Sequence, residues 1–488
     1  MRRILKSKMI TLTRRNFLKS SAAMTAAKAI PAQLAAAHGR KNVLFIGVDD
    51  LNHSLGCYGQ PVHTPNLDAL AARGVRFDAA YCQYPLCGPS RTSLLTGLAP
   101  DTTKIQDNND LNFRKHLKDP VTLPELFRKN GYYVARVGKI YHANVPPDEG
   151  SAGADDPQSW DYTFNNAGLD RTDPAQAKSV TTFSAPEKIG LGTGLCAYES
   201  PTPDRQITDG VGADEVISLL KANKDKPFFI AYGLYRPHLP WIVPQAYFEK
   251  YPLESIHAEP FDPAELTQAP PYAYMLKKPN FGMSEENARR SKRGYYAATS
   301  YIDAQVGRVL AALKEYGLEE NTIVVFWADH GWHLGQHGQW EKLTLFEWCA
   351  RIPFLMAGPG VKKGGVVDRT TEHLDIYPTL VELCGLENAP KLLHGTSLSG
   401  LLQNPDGARW DKPAMTQAHR PAREIDGYSI RTERYRYTLW MGKSEAEELY
   451  DYQTDPREVK NRASDPELKT VKKALKDRLL TIRKSRIT

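Results

Sequence analysis

Two short acidic strings in this 488-residue chain have the residue types to hold a cation. Val48-Asp49-Asp50 and Ala328-Asp329-His330-Gly331 each close an apolar run of strand character. In an open α/β sheet the carboxyl ends of parallel strands face one crevice, where ligands bind. Three carboxylates brought together there repel one another unless a cation lies between them. Oxygen donors suit a hard ion, Ca²⁺ or Mg²⁺, with His330 as a less usual nitrogen ligand. An Asp-Asp pair at a strand end also serves as an ordinary helix cap, so the pair alone does not decide the matter. A third string, Cys87-Gly88-Pro89-Ser90-Arg91-Thr92-Ser93-Leu94-Leu95-Thr96-Gly97, sets a cysteine just before an expected helix start. Pro89 fixes the backbone, and a helix N-terminus there favours an anion beside Cys87. Without such a setting a lone cysteine is a small, inert core residue.

The elements that must position these residues are legible in outline. Val43–Val48 is a continuous apolar run, as in a parallel strand covered on both faces. Further strands are expected at Tyr133–Val137, Pro227–Tyr232, Thr322–Trp327 and Ile352–Met356. Helices are expected at Thr64–Arg73, Leu123–Asn130, Ala213–Ala222 and Ala297–Tyr316. This alternation predicts an α/β fold: a large, mostly parallel sheet flanked by helices. Residues 144–203 and 260–283 are polar, rich in Gly, Pro or Asp, and read as long surface loops rimming a site. After a boundary near Gln403–Lys412 come short strands at Gly427–Thr432, Tyr435–Trp440 and Glu448–Asp451. A basic helix beginning near Asp465-Pro466 ends the chain. The expected organisation is a leader over 1–37, a catalytic domain over 38–404, and a C-terminal α+β subdomain over 405–488.

The cysteine string matches the Cys-x-Pro-Ser-Arg signature of the type I, formylglycine-dependent sulfatases at every defined position through Thr96-Gly97. From about Lys41 to Gly400 the chain most resembles the iduronate-2-sulfatase-like members of that family. The resemblance rests on Val48-Asp49-Asp50-Leu51, Ser54-Leu55-Gly56-Cys57-Tyr58-Gly59 and Thr64-Pro65-Asn66-Leu67-Asp68. It continues in Val137-Gly138-Lys139-Ile140-Tyr141-His142, Pro237-His238-Leu239-Pro240 and the run Ser300–Arg308. It extends through the run Asp329–Gly338 and Lys342 to Glu448-Leu449-Tyr450-Asp451, Asp455-Pro456 and Asn461.

The resemblance implies an alkaline-phosphatase-like α/β sandwich and a sulfuric ester hydrolase. A maturation enzyme would oxidise Cys87 to formylglycine, whose hydrate carries two geminal hydroxyls. Asp49, Asp50, Asp329, His330 and the modified Cys87 would hold one Ca²⁺. Arg91 would steady the hydrate, and Lys139 and Lys342 would hold sulfate oxygens. His142 and His238 would move protons, His238 also touching substrate. Asp156, ahead of Ser159-Trp160, is a candidate substrate contact or a loop cap. The chemistry is coherent: cations neutralise the sulfate ester, and a lowered-pKa hydroxyl attacks sulfur. Deprotonating the second hydroxyl then expels sulfate, with histidines suited to the proton steps. The implied substrate is a sulfated carbohydrate, with a 2-O-sulfated uronic acid unit foremost.

Two other readings stay open: a phosphonate or phosphate monoester hydrolase on the same scaffold, and a non-catalytic protein that binds sulfated glycans. His333 and His337, four apart, suggest zinc, but no Glu stands in the His-Glu-x-x-His position and the segment is Gly-rich. There is no Walker loop and no dinucleotide fingerprint.

The formal charge is +7, from 63 Lys+Arg against 56 Asp+Glu, and 41% of residues are hydrophobic. That composition excludes disordered and fibrous classes. The basic balance does not indicate a nucleic-acid partner, because it is local. Residues 1–40 carry no acid, and Thr13-Arg14-Arg15-Asn16-Phe17-Leu18-Lys19 followed by Ala35-Ala36-Ala37 reads as a twin-arginine signal with a cleavage site. The bland alternative is a disordered basic tail, and Met9 is as good a start as Met1. Cleavage after Ala37 would remove eight cations and bring the charge to −1. The last twenty residues hold eight Lys/Arg and one Asp, leaving the body acidic, so attraction for a sulfated polymer must be local to the site, helped by the basic terminal helix. The expected address is periplasmic or secreted, through the twin-arginine export machinery, with no membrane span. Six cysteines are too few for a disulfide scaffold, although export permits a bridge or two.

Overall fold

The computed structural model describes residues 39–184, 194–276 and 278–487. The expected export signal therefore lies outside the described residues. The chain divides into two units, Met1–Arg40 and Lys41–Thr488, and the fold below is that of the second.

Its centre is a nine-stranded sheet. The strands are β1 (Asn42–Val48), β2 (Gly74–Tyr81), β3 (Tyr133–Gly138), β4 (Tyr162–Phe164), β5 (Phe228–Leu234), β6 (Thr322–Ala328), β7 (Arg351–Ala357), β8 (Gly365–Val367) and β9 (Thr371–Glu372). Their order is β8-β2-β7-β6-β1-β5-β3-β4, with β9 also pairing β2. Every pairing is parallel except those of β7, which runs antiparallel to both β2 and β6. The three central strands, β1, β5 and β6, are buried at every position, which is why they lack polar alternation. β2 escapes a reading by periodicity because Arg76 and Asp78 interrupt its apolar residues; the two pair with each other at 2.6 Å.

Helices cover both faces: α1 (Pro65–Ala72), α2 (Cys87–Thr96), α3 (Leu123–Lys129), α4 (Thr208–Ala222), α5 (Glu285–Glu315) and α6 (Ile376–Cys384). α4 starts five residues before the expected Ala213, through Gly210 and Gly212. A Cβ on Gly210 would meet the Asp204 carbonyl at 1.9 Å, so these glycines serve close packing and are not breakers. α5 starts twelve residues before the expected Ala297. Its charged first half is a solvated helix face, begun by Ser284 accepting from the Asn287 amide and supported by an Arg290–Glu286 pair one turn apart. The expected loop over 144–203 is likewise more structured. It holds β4, short helices at Leu169–Thr172 and Pro174–Lys178, and strands Thr181–Thr182 and Cys196–Ser200 that pair with each other, the second also pairing with Trp241–Pro244.

Four antiparallel strands, β10 (Ala414–Arg420), β11 (Ile425–Arg431), β12 (Tyr435–Gly442) and β13 (Ala446–Asp451), form a second sheet in the same unit. One face takes Leu475 and Leu479 of α7 (Lys469–Ser485) against Ile430, Tyr437 and Leu449. The other packs Trp440 and Tyr450 with Tyr84, Leu345 and Phe346 from the preceding part of the chain. The cations of α7 are not a free basic surface. Lys472 and Lys476 pair with Glu447 and Glu445 (2.7 and 2.9 Å), Arg478 with Asp411, Arg483 with Asp101, and Arg486 with Glu372. Five of the eight cations in the last twenty residues are thus engaged with the rest of the fold, which reduces the charge this end of the chain has for drawing in a polyanion.

No disulfide joins any of the six cysteines, all of which are among the described residues. No helix of the described residues is long and apolar enough to cross a membrane.

Candidate active site

The carboxyl ends of four parallel strands converge. β1 delivers Asp49 and Asp50, β6 delivers Asp329 and His330, β3 leads to Lys139 and His142, and β5 leads to Arg236 and His238. The N-terminus of α2 supplies Cys87 and, one turn on, Arg91. The β3 and β5 ends approach closely because Gly138 and Gly233 face each other in register. A Cβ on Gly138 would meet the Gly233 carbonyl at 2.1 Å, and one on Gly233 would meet the Lys139 carbonyl at 2.1 Å. The glycine before Lys139 is therefore a requirement of the site.

Asp49, Cys87, Asp329 and His330 each place a ligand atom within 4.8 Å of the others, all four residues being buried. Cys87 Sγ lies 3.3 Å from His330 Nε2 and 3.1 Å from Lys342 Nζ. His330 Nδ1 faces the Gly331 carbonyl at 3.0 Å; with the ring neutral and its proton on Nδ1, Nε2 would turn a lone pair to the cluster. Asp50 stands just outside this group of four. It has the left-handed backbone angle φ 59°, its amide donates to Asp329 Oδ1 at 3.1 Å, and its carbonyl accepts from the Tyr295 hydroxyl at 2.8 Å. Its Oδ1 takes Lys342 Nζ at 2.6 Å, while its fully buried Oδ2 has no hydrogen-bond partner, His238 Nε2 standing 3.6 Å away.

Arg91 is wholly buried against the face of Trp327. Its Nε donates to Asp329 Oδ2 at 2.9 Å, its Nη2 lies 3.5 Å from Asp49 Oδ1, and its Nη1 donates to the carbonyls of Lys139 (2.6 Å) and Ile140 (3.1 Å). One guanidinium thus ties together the ends of β1, β3 and β6. Lys139 Nζ donates to Asp49 Oδ2 at 2.6 Å. Ser90 of α2 donates to the Asp329 carbonyl and faces His373 Nδ1 at 3.3 Å; neither contact carries a sequence signal.

Three carboxylates face three cations here, and burial makes each imbalance matter. Burial alone would raise Asp49, but Lys139, His238, Arg91 and Lys342 hold it well below the usual carboxylate range. Asp50 is pushed up to about 8, by burial first and then by Asp49 and Cys87, against Lys342. The Cys87 thiol ends below its ordinary value: burial and Asp49 raise it, but Lys342 and Lys139 prevail. His330 is desolvated, yet Asp329 and Cys87 raise it to about 9. Burial pushes His142 down to about 3, aided by Lys139, and holds His238 well below the usual histidine range.

The pocket fits a divalent cation. Asp50 Oδ2 is an orphaned, fully buried acceptor beside the cluster. The donors are carboxylate oxygens and an imidazole nitrogen, with the Cys87 sulfur the one soft member; exchanging that sulfur for oxygen would make the set suit a hard ion.

The remaining expectations divide. His142 is buried, with Nε2 3.3 Å from Asn144 Oδ1 and no partner on Nδ1. Asp156 lines a cleft that also reaches His142, but Arg114 takes both of its oxygens (2.7 and 2.8 Å) and the Ser159 hydroxyl adds a bond at 2.6 Å. His333 and His337 turn to other partners, Thr344 (2.7 Å) and Glu265 (3.2 Å). Sequence reading missed the support behind His238. Asp209 accepts from the amides of Tyr235 (2.8 Å) and Arg236 (3.1 Å), and Arg236 pairs with Glu149 and Asp170, all buried.

Known proteins resemble this chain in sequence and in fold. The sulfatase family profile matches residues 41–386, and that of the N-sulphoglucosamine sulphohydrolase C-terminal region matches residues 335–485. A sulfatase of Formosa agariphila is 34% identical, over 90% of this chain and 86% of its own. Iduronate 2-sulfatase of Mus musculus is 32% identical, over 86% of this chain and 90% of its own. Among solved structures, one in complex with its substrate D-glucosamine-2-N,6-O-disulfate superposes with TM-score 0.73 at 23% identity, covering 92% of this chain and 98% of that one. The phosphonate monoester hydrolase of Agrobacterium radiobacter superposes with TM-score 0.75 at 23% identity, covering 92% and 96%. Both share the alkaline-phosphatase-like α/β architecture.

Proposed function

The chain belongs to the sulfatase family and is a sulfuric ester hydrolase, and we propose that it removes sulfate from a carbohydrate, foremost a 2-O-sulfated uronic acid unit. One observation carries the reading: Cys87 Sγ sits at a helix N-terminus, 3.1 Å from Lys342 Nζ and within the Asp49–Asp329–His330 cluster. Similarity to the iduronate 2-sulfatase of Mus musculus supports the uronic acid.

In the proposed mechanism Cys87 is matured to formylglycine by a maturation enzyme. Asp49, Asp50, Asp329, His330 and residue 87 would hold one Ca²⁺, which would supply positive charge beside residue 87 and favour a deprotonated hydroxyl there. The chain's own groups do the rest. Lys139 and Lys342 meet sulfate oxygens with charges already desolvated, so their interaction strengthens as charge builds in the transition state. Arg91 fixes Asp49, Asp329 and the β3 end as one rigid body. His238, with Nδ1 facing the Leu239 carbonyl at 2.8 Å, leaves Nε2 as proton acceptor on the pocket side. His142 is neutral in the free enzyme, and the negative charge of a bound ester raises its proton affinity, suiting it to the leaving group. Asp156 orients Arg114. The division into a catalytic domain (38–404) and a C-terminal subdomain (405–488), and export through the twin-arginine route to the periplasm or beyond, belong to the same proposal.

The test pairs two measurements on purified protein: the mass of the peptide carrying residue 87, and sulfate release from an aryl sulfate and from a 2-O-sulfated uronic acid disaccharide. An aldehyde at residue 87 with release from both substrates is expected. A thiol with no release would favour the glycan-binding reading, and an aldehyde with no release from any sugar sulfate would sink the carbohydrate assignment. A second hydrolase reading has one observation behind it, the fold shared with a phosphonate monoester hydrolase. Matched aryl sulfate and aryl phosphonate rates decide between them, and the sulfate is expected to be faster.

A further inference from the structure

A cleft of about 840 Å³ opens beside the active site, between the segments 108–114 and 142–158. Two contacts tie it to the centre. Asn108 Oδ1 accepts from the amide of Gly88, the residue after Cys87, at 2.9 Å. His142, with its buried and unpartnered Nδ1, forms part of the cleft wall. The size is that of a small-ligand site.

Its lining has a definite chemistry. Asn108, Asn144, Asp110 and Asp148 line it with amides and carboxylates, whose remaining donor and acceptor positions suit sugar hydroxyls; Asn144 already donates to Asp148 at 2.8 Å, and Asp110 lies 3.8 Å from Lys115. The cations near the wall are already engaged. Arg114 is taken by Asp156, Glu125 and the Pro120 carbonyl; Arg136, behind Asp155, is taken by that carboxylate, Asn165 and the Gly138 carbonyl. Burial keeps His142 uncharged. An anionic group entering the cleft would thus meet four lining carboxylates, Asp110, Asp148, Asp155 and Asp156, against the one lining arginine, Arg114, whereas the neighbouring centre sets Arg91, Lys139 and Lys342 against three carboxylates.

We infer that this cleft holds the sugar adjoining the one that bears the scissile sulfate, and that it selects an uncharged, hydroxyl-bearing ring there and rejects a sulfated one. The inference rests on the carbohydrate sulfatase reading above. It makes the order of desulfation a property of the enzyme: the neighbouring unit must carry no sulfate, or lose it in another sulfatase's reaction first.

The experiment uses the full, matured enzyme with two disaccharides that share the same terminal sulfated sugar, one with a neutral neighbour and one with that neighbour sulfated. The neutral-flanked substrate is expected to have a kcat/KM at least about tenfold higher, most of it in KM. Asp110→Lys combined with Asp148→Lys is expected to shrink or invert that ratio. The wild-type comparison stands alone should the double variant not fold. Equal rates, or preference for the sulfated neighbour, overturn the inference while leaving the parent reading intact. A matured enzyme that releases sulfate from an aryl sulfate but from neither disaccharide overturns both.

Discussion

Arg420, on the first strand of the C-terminal sheet, reaches across 77 residues of sequence to donate from Nη2 to the Leu343 carbonyl at 2.6 Å, one residue from Lys342. The loop it grips is strained, for Glu341 and Leu343 on either side of Lys342 both have left-handed backbone (φ 67° and 79°). Arg420 is buried, its other bonds go to the carbonyls of Tyr272 and His419, and it lies over Trp440. A guanidinium from the second sheet thus helps hold the lysine that touches Cys87.

Removing that grip should misplace Lys342. Arg420→Met is expected to lower kcat/KM for an aryl sulfate by about 10- to 100-fold, since displacement by about 1 Å costs that much in a preorganised site. Arg420→Lys should recover part of the loss. Kinetics normalised to folded protein check this; a fall in melting temperature with unchanged turnover would make the residue purely structural.

Lys139 and Asp49 form an ion pair with no exposed side-chain surface. Lys139→Ala should therefore have two effects. The lost sulfate contact is expected to reduce kcat/KM by about 10²- to 10³-fold. The uncompensated Asp49 should cost about 3–5 kcal/mol of stability, read from denaturant midpoints. Lys139→Arg should fail to restore activity, because a planar fork does not fit where one ammonium is held at 2.6 Å.

Chelation should both inactivate and destabilise the matured protein. Bound ion at about 100 times its dissociation constant contributes about 2.7 kcal/mol. Treatment with a chelator is expected to lower the melting temperature and abolish sulfate release, and added Ca²⁺ should restore both. Full activity after exhaustive chelation, verified by elemental analysis, would refute the metal assignment.

The buried carboxylates behind His238 predict a pH dependence of stability. Glu149 is raised from 4.5 to about 7, by burial first and by Asp170, against Arg236. A carboxyl whose folded pKa lies above its unfolded one favours the folded state at low pH, and that contribution is lost as pH rises from about 4.5 to about 7. Glu149→Gln, which keeps a partner for Arg236, should therefore gain melting temperature relative to wild type at pH 8 compared with pH 5. An equal difference at both pH values would contradict this.

Much of the site is legible in the order of the residues. Asp49-Asp50, Asp329-His330 and Cys87 stand in strings whose residue types and local spacing carry their own signal, because strand ends and a helix start are short-range features, whereas Lys139 is named only by the family resemblance. The central strands are equally plain, since burial on both faces leaves an unbroken apolar run. What escapes is whatever depends on distant partners. The charged half of α5 resembles loop, because a solvated helix face has no apolar stripe until its docking side is known. The direction of β7 leaves no trace in composition, and β2 hides behind Arg76 and Asp78, which satisfy each other. The basic terminal helix has the composition of a polyanion attractor, yet Glu445, Glu447 and Asp411 neutralise it. Sequence by itself thus determined the family and the strand ends, and it nominated the reactive residues. Only the tertiary structure decided how the charges balance: a buried centre in which three cations face three carboxylates, and beside it a cleft with more carboxylates than cations.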